Sequence, residues 1–243
     1  MANFRFTRME NFPPIVKNLI IINVLVYVAQ ILLDTQYQLT DKFTLQPIIS
    51  DHLKTALEQH GVDTPHFSPY QIFTHMFTHA PFPKVFHIIL NMFVLWMFGR
   101  VLESVWGAKK FLTFYLACGI GAAAFHLLIQ YLRAEYLLLP AVENLDMPAV
   151  QKHIGALAGV VGASGAIMGV MAAFAYLFPN TELYIYGAIP IKAKWAVLLY
   201  VAYDLFAGVG VEDNVAHFAH LGGAITGFIL VLIWNKTNRK TLY

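Results

Sequence analysis

The chain has 243 residues, of which 58% are hydrophobic and 12% charged, with a mean hydropathy of +0.59. Soluble domains carry about twice that charged fraction, so the composition excludes an ordinary soluble domain. The net charge is only +2 and no run of lysine and arginine alternates with aromatic residues, which argues against nucleic acid as a partner. A single cysteine, Cys118, excludes an intrachain disulfide. The composition predicts an integral membrane protein.

Six apolar segments predict an all-α polytopic membrane protein with six transmembrane helices in one domain, 1–243. A helix needs about 20 mostly apolar residues to cross a bilayer. The predicted spans are 16–33, 86–104, 111–133, 164–178, 194–210 and 214–235. The first 14 residues are polar and no small-residue cleavage site follows the first run, so that run is predicted to be retained. The predicted parts are an N-terminal segment 1–15, a core 16–235 with a long outer loop 34–85, and a tail 236–243.

Basic residues are concentrated in the two tails and in two loops, near 100–110 and 179–194. They are Arg5, Arg8, Lys17, Arg100, Lys109, Lys110, Lys192, Lys194, Lys236, Arg239 and Lys240. Because lysine and arginine are enriched on the cytoplasmic side of membranes, both termini are predicted to be cytoplasmic. We expect a multi-pass protein of the plasma (inner) membrane.

The fourth span is shorter than a bilayer is thick. From Ser164 to Phe178, before Pro179, a helix would measure about 22 Å at about 1.5 Å per residue. The chain before it is rich in glycine, including Gly159 and Gly162, and irregular backbone at membrane depth is tolerated only where it lines a cavity. Ser164 is therefore predicted to lie at a helix N-terminus facing a wet cavity, where N–H groups favour negative charge.

Polar groups on two other apolar spans complete a possible catalytic set with Ser164. A serine needs a base to take its proton, and histidine suits that role near neutral pH. His217 and His220 on the sixth span are both candidates. His87 and Asn91, spaced i and i+4 on the second span, share one helix face and can donate hydrogen bonds to an oxyanion.

No carboxylate is predicted to orient the catalytic histidine. Asp204 is the one acidic candidate within the spans near these groups, and it is expected near the outer end of the fifth span. The simplest interpretation is a Ser–His dyad that needs no metal and no other cofactor.

Three motifs in this order resemble the rhomboid family of intramembrane serine proteases. They are Gly162-Ala163-Ser164-Gly165 at the fourth span, His87 to Asn91 in the second and Ala219 to Gly227 in the sixth. The resemblance covers about 70–235. It implies a rhomboid-like bundle with a short central fourth helix, in which Ser164 and a histidine of the sixth span cleave single-span membrane proteins. It also implies that His87 and Asn91 form the oxyanion hole, and that the partners are transmembrane substrates and the lipid bilayer.

The spacing of small residues favours His220 over His217 as the base. Gly223 and Gly227 follow His220 by three and seven positions, so they lie on nearly the same helix face. Small residues let helices approach closely, which would bring this face to Gly165 on the fourth span. His217, one turn earlier, stays the alternative base or a residue that binds substrate or supports the site.

Other positions complete the comparison with the family pattern. Met168 stands where the family often has an aromatic residue against the catalytic histidine, and Gly162 and Gly165 are expected to support the site. Glu103 and Gly107 match a recurring pattern and are expected to be structural.

Two other functions remain open. One is an inactive rhomboid-like chaperone or adaptor. The other is a membrane metalloenzyme whose metal is bound by histidines from the set His75, His79, His87, His217 and His220. The absence of an HExxH motif argues against it. The sequence makes no prediction of the oligomeric state.

Overall fold

The computed structural model of the protein describes residues 11–81, 83–185, 189–210 and 217–237. Most of the predicted N-terminal segment 1–15, most of the tail 236–243 and the predicted start of the sixth span at 214–216 lie outside these residues. For 185, 205–210 and 237 only the backbone course is described.

Eleven α-helices and one hairpin are found in the described ranges. The helices are α1 (Pro14–Tyr37), α2 (Leu39–Phe43), α3 (Asp51–Gln59), α4 (Gln71–Thr74), α5 (Val85–Trp106), α6 (Ala108–Arg133), α7 (Leu139–Glu143), α8 (Met147–His153), α9 (Ser164–Leu177), α10 (Ala193–Gly210) and α11 (His217–Thr237). A π-helical turn, Ala134–Leu138, continues α6, and a 3₁₀ turn, Ile154–Leu157, follows α8. The antiparallel strands β1 (Glu182–Ile185) and β2 (Ile189–Lys192) pair with Glu182 opposite Lys192.

A helix occupies each of the six segments predicted to span the membrane. Four of them are long and apolar enough to cross by length and composition: α1, α5, α6 with its continuation to Glu143, and α11. As expected, α9 is short, with 14 residues, or about 21 Å of helix. The fold is therefore that of an all-α membrane protein with four helices of spanning length, and six crossings remain a prediction.

The outward faces of the long helices are apolar, which suits a lipid environment rather than water. Exposed large side chains on these faces include Leu25, Leu32, Phe86, Ile89, Phe93, Leu198, Phe228 and Ile233. The interior holds α9, which packs against α5, α6, α10 and α11. The most apolar and shortest of the six helices is thus enclosed by the others, and its first residue, Ser164, starts inside the protein.

Glycines allow α9 and α11 to cross with their backbones in contact. A Cβ added to Gly227 would lie 2.5 Å from the Cα of Gly169, and one added to Gly223 would overlap the carbonyl oxygen of Gly165. The predicted approach of these two small-residue faces is confirmed. Because no side chain fits between the helices, their spacing is fixed by main-chain contact.

Replacing Gly223 with alanine is expected to destabilise the protein by about 1–3 kcal/mol, the usual cost of overpacking, because α11 must move away from α9. Unfolding titrations in bicelles measure this loss. Gly155→Ala is the matched control, since its added Cβ meets nothing within 4 Å. Equal stability of the Gly223 and Gly155 variants would show that the crossing tolerates a methyl group.

The outer loop 34–85 is largely structured and joins a cap above the helices. In this cap α3 packs with the π-helical turn, α7 and the 3₁₀ turn. The buried apolar residues shared by these elements are Leu53, Leu57, Ala134, Leu138, Leu139, Val142 and Ala156. The 3₁₀ turn of the cap leads directly into the segment before Ser164.

Glu103 of α5 supports the start of α1, as its predicted structural role requires. Its two carboxylate oxygens accept hydrogen bonds from the N–H groups of Ile15 (2.9 Å) and Val16 (2.8 Å), and the side chain is buried. The first N–H groups of a helix have no partner within the helix, and a negative charge there also interacts favourably with the helix dipole.

Glu103→Ala is expected to lower the free energy of unfolding by about 2–4 kcal/mol, since two charge-assisted hydrogen bonds are lost and the N–H groups of Ile15 and Val16, the second of them buried, lose their acceptor. The same titration measures it. Glu58→Ala serves as control, because Glu58 is exposed and lies 4.0 Å from Lys54, a surface pair of small value. A change as small as that of the control would contradict the capping role.

Candidate active site

Ser164 begins α9 at the end of an irregular segment that the outer loop holds in place. Val160 exchanges two main-chain hydrogen bonds of 3.0 Å with Leu45, and Gly162 donates one of 2.8 Å to the carbonyl of His75. Gly162 has φ of +124°, a conformation that side-chain-bearing residues rarely adopt. This turn aims Ser164 into a cavity instead of against the cap, as the sequence predicted.

His220 lies beside Ser164. The serine hydroxyl is 2.7 Å from Nε2 of His220, across the close crossing of α9 and α11. Gly165, next in the chain, contacts both neighbouring helices: its added Cβ would lie 2.6 Å from Ala122 of α6 and 3.5 Å from the carbonyl oxygen of Ala219. The sequence-based preference for His220 over His217 as the histidine nearest to Ser164 agrees with this geometry.

Asp204 of α10 joins the two histidines, and here the sequence-based expectation is wrong. Its Oδ2 lies 3.0 Å from Nδ1 of His220, and its Oδ1 lies 2.8 Å from Nδ1 of His217. A carboxylate only accepts hydrogen bonds, so both Nδ1 atoms carry a proton and donate it. A third residue therefore orients His220, and Nε2 is left as the acceptor of the serine proton.

His87 and Asn91 lie in the same cavity as Ser164. The N–H of Ala80 donates to Nδ1 of His87 at 3.2 Å, so the ring carries its proton on Nε2. A Cβ on Gly162 would lie 3.2 Å from Nε2 of His87 and 3.4 Å from Oγ of Ser164, so a side chain at this position would contact both groups. Asn91 donates one amide hydrogen to the carbonyl of His87 at 2.8 Å and keeps a second.

The cavity has a volume of about 560 Å³ and is mainly apolar away from Ser164. Its polar end holds Ser164, His87, Asn91 and His220. Lys84 also lines the cavity. Met168 lines it one turn after the serine and is buried, packing with Ala172 and Ala224. A few polar groups at one end of an apolar cavity form the usual arrangement of a ligand site.

His75 and His79 of the outer loop form hydrogen bonds that stabilise the loop. His75 donates from Nδ1 to the carbonyl of Gln71 at 2.9 Å, and the main chain of His79 exchanges two hydrogen bonds with the side chain of Gln30. Burial lowers the pKa of each from 6.5 to about 4, and for His79 the neighbouring His87 contributes. Both are therefore neutral at neutral pH.

The free energy of unfolding is expected to fall as the pH drops from 6.5 to 4, because the unfolded chain then binds protons that the folded histidines do not. The slope is about 1.4 kcal/mol per pH unit for each histidine, and the contribution is complete above pH 6.5. Unfolding titrations across this range measure it. His75→Asn should flatten the slope, whereas the same change at the exposed His60 should not; equal slopes would contradict the assignment.

A metal site was not predicted, yet one group of possible ligands occurs among the described residues. Asp204, His217 and His220 offer ligand atoms that all lie within 4.8 Å of one another. His75, His79 and His87 do not belong to this group, so the five-histidine centre considered from the sequence does not form.

Comparison with known proteins gives the family. A model described as the Rhomboid domain matches residues 66–236. "Rhomboid protein 1, mitochondrial" of Saccharomyces cerevisiae is 30% identical over 63% of this chain and 38% of its own length. "Rhomboid protease AarA" of Providencia stuartii is 30% identical over 61% and 50%, and "Presenilin-associated rhomboid-like protein A, mitochondrial" of Danio rerio is 31% identical over 63% and 36%.

The matched part of the chain thus spans half or less of the length of these relatives. The domain match itself extends over well over half of the chain and includes Ser164, His87 and His220. By this match, the chain belongs to the rhomboid family.

Proposed function

We propose that the protein is an intramembrane serine endopeptidase that cleaves transmembrane segments of single-span membrane proteins. The observation that carries the proposal is the 2.7 Å contact between Oγ of Ser164 and Nε2 of His220 in a cavity lined mainly by apolar groups. The arrangement activates a nucleophile for acyl transfer: the serine is hydrogen-bonded to a histidine, and a carboxylate accepts a hydrogen bond from the other nitrogen of that histidine.

In the proposed reaction Ser164 attacks the scissile carbonyl carbon while His220 takes the hydroxyl proton on Nε2. The negative charge on the carbonyl oxygen is stabilised by N–H donors from His87, Asn91 and the main chain of Ser164 at the start of α9. His220 then gives its proton to the leaving amine. Water, deprotonated by the same ring, hydrolyses the acyl-enzyme and restores Ser164.

The other two functions are less well supported. An inactive adaptor has no need of a histidine hydrogen-bonded to the serine or of a glycine with positive φ just before it, and both are present. A metalloenzyme built on the five histidines has less support, because His75, His79 and His87 do not belong to the one group of possible ligands found among the described residues. The relative named a rhomboid protease adds support for peptide-bond hydrolysis.

The proposed topology has six crossings with both termini cytoplasmic, because the basic tails and loops would then lie on that side. A plasma (inner) membrane remains the location predicted from the sequence. The mitochondrial names of several relatives favour a mitochondrial membrane instead. Fractionation of cells expressing the tagged chain separates these locations.

The test is cleavage in liposomes that contain the purified protein and one single-span substrate. We expect two products whose new ends map within the transmembrane segment by mass spectrometry. The rate of cleavage should be unaffected by EDTA. A fluorophosphonate should block the reaction and label Ser164, and Ser104→Ala, a matched helix serine bonded to its own helix, should label normally. A folded protein that neither cleaves nor labels would be an adaptor, and loss of cleavage in EDTA would support a metalloenzyme.

A further inference from the structure

The group formed by Asp204, His217 and His220 contains one histidine that the proposed reaction does not use. The reaction needs one histidine and one carboxylate, yet a second imidazole donates to the free oxygen of Asp204 at 2.8 Å. All three side chains are buried, with exposed fractions of 2%, 5% and 8%. His217 and His220 are one helical turn apart on α11, so both point their Nδ1 atoms at the same carboxylate of α10.

Two imidazole nitrogens and a carboxylate are ligands that Zn²⁺ favours in proteins, with a water completing a four-coordinate site. The ligand atoms lie within 4.8 Å of one another, so binding requires the loss of the two Nδ1 protons and a small movement of the side chains toward the ion. We propose that Asp204, His217 and His220 bind Zn²⁺, or a similar transition-metal ion, and that the bound ion inhibits the enzyme.

Inhibition follows from where the proton of His220 must go. Coordination uses the Nδ1 lone pair, so the Nδ1 proton leaves and a proton is taken up on Nε2; the ring stays neutral and no electron is transferred. Nε2 then donates to Oγ of Ser164 and can no longer accept its proton. His217 changes tautomer in the same way. The nucleophile thereby loses its base while the serine, the cavity and the oxyanion donors remain.

The site borders the cavity that holds Ser164, which is the proposed route of entry for the ion. His220 lines that cavity, and so does Tyr200, which lies one turn before Asp204 on α10. Mg²⁺ and Ca²⁺ prefer oxygen ligands and should not compete for a site with two imidazoles. Metal binding itself does not depend on the proposed function; only the inhibitory effect rests on it.

The closing experiment measures binding and inhibition separately on the full-length protein in detergent. Co²⁺ is the binding probe, because its visible absorption reports nitrogen and oxygen ligands in a tetrahedral site. Inhibition is the loss of fluorophosphonate labelling of Ser164, and of substrate cleavage, as free Zn²⁺ is raised in a metal buffer. His217→Asn is the test variant: asparagine can still donate a hydrogen bond to Asp204 but is a poor zinc ligand. His52→Asn is the control, since His52 is exposed beside Glu143 at 3.0 Å and offers a competing surface site.

We expect one Co²⁺ per chain in the wild type and the His52 variant, and full reversal of Zn²⁺ inhibition by EDTA. In His217→Asn, the Zn²⁺ concentration for half-inhibition, relative to that variant's own metal-free rate, should rise by at least about tenfold, the smallest loss seen even when a supporting residue of a metal site is removed. Equal Zn²⁺ sensitivity of the wild type and His217→Asn, or no tetrahedral Co²⁺ spectrum, would overturn the proposal. Tetrahedral Co²⁺ binding to a protein with no labelling at any metal concentration would instead refute the proposed function and leave the site in place.

Discussion

Replacing Ser164 with alanine is expected to reduce substrate cleavage to the background rate, and His220→Ala is expected to reduce kcat/KM by about 10⁴-fold or more. The reason is the 2.7 Å contact between the two side chains: the serine needs the histidine as its base, and the base has no nucleophile to activate without the serine. His217→Ala should reduce the rate less, because His217 reaches the serine only through Asp204. The measurement is kcat/KM in liposomes with the folding of each variant checked by its unfolding midpoint.

The histidine variants distinguish the two possible bases. A larger loss with His217→Ala than with His220→Ala would reverse the assignment, and equal losses in folded variants would mean that the carboxylate needs both rings to hold its position. Ser104→Ala controls for loss of a helix serine, since its hydroxyl bonds only the carbonyl of Arg100. Cleavage that survives Ser164→Ala would falsify the serine mechanism.

The helices could be predicted from the sequence because apolar length and the 3.6-residue period are local properties. The six predicted segments all contain helices, and the short α9 is indicated by the 15 residues from Ser164 to Phe178 between the preceding glycines and Pro179. The cap was not predicted, because its core joins Leu53 of α3 to Leu138 far along the chain. Such contacts depend on how the loops fold over the bundle, and the spacing of apolar residues within one segment does not predict this. The hairpin of β1 and β2 lies in the segment near 179–194, which the sequence predicts only as a loop.

The site was predictable to the same extent. The i, i+4 spacing of His87 and Asn91 and the glycine spacing after His220 each describe a single helix face, and the structure brings these faces to one cavity. Asp204 was different, because its role depends on the rotation of α10 about its axis and on its crossing with α11. The available signal was its chemistry alone: a carboxylate within a membrane helix is costly and is usually paired with a functional group.

Asp204→Asn is expected to lower kcat by about 10²–10⁴-fold with little change in KM. An asparagine has nearly the same shape, but its NH₂ group would donate toward Nδ1 of one histidine and favour the tautomer with a proton on Nε2. That tautomer cannot accept the proton of Ser164. Because the cavity that binds substrate is unchanged, the loss should fall on the chemical step, as comparison of kcat with KM measures directly.

The matched control for this prediction is Asp51→Asn, a change of the same kind at an exposed residue in the first turn of α3. It should leave both constants near their wild-type values. A readout that a purely structural role would not move is the reaction of Ser164 with the fluorophosphonate, whose rate should fall with kcat while the unfolding midpoint stays within a few degrees. If Asp204→Asn cleaves within about threefold of the wild-type rate, Ser164 and His220 suffice as a pair, since orienting a catalytic base is ordinarily worth far more.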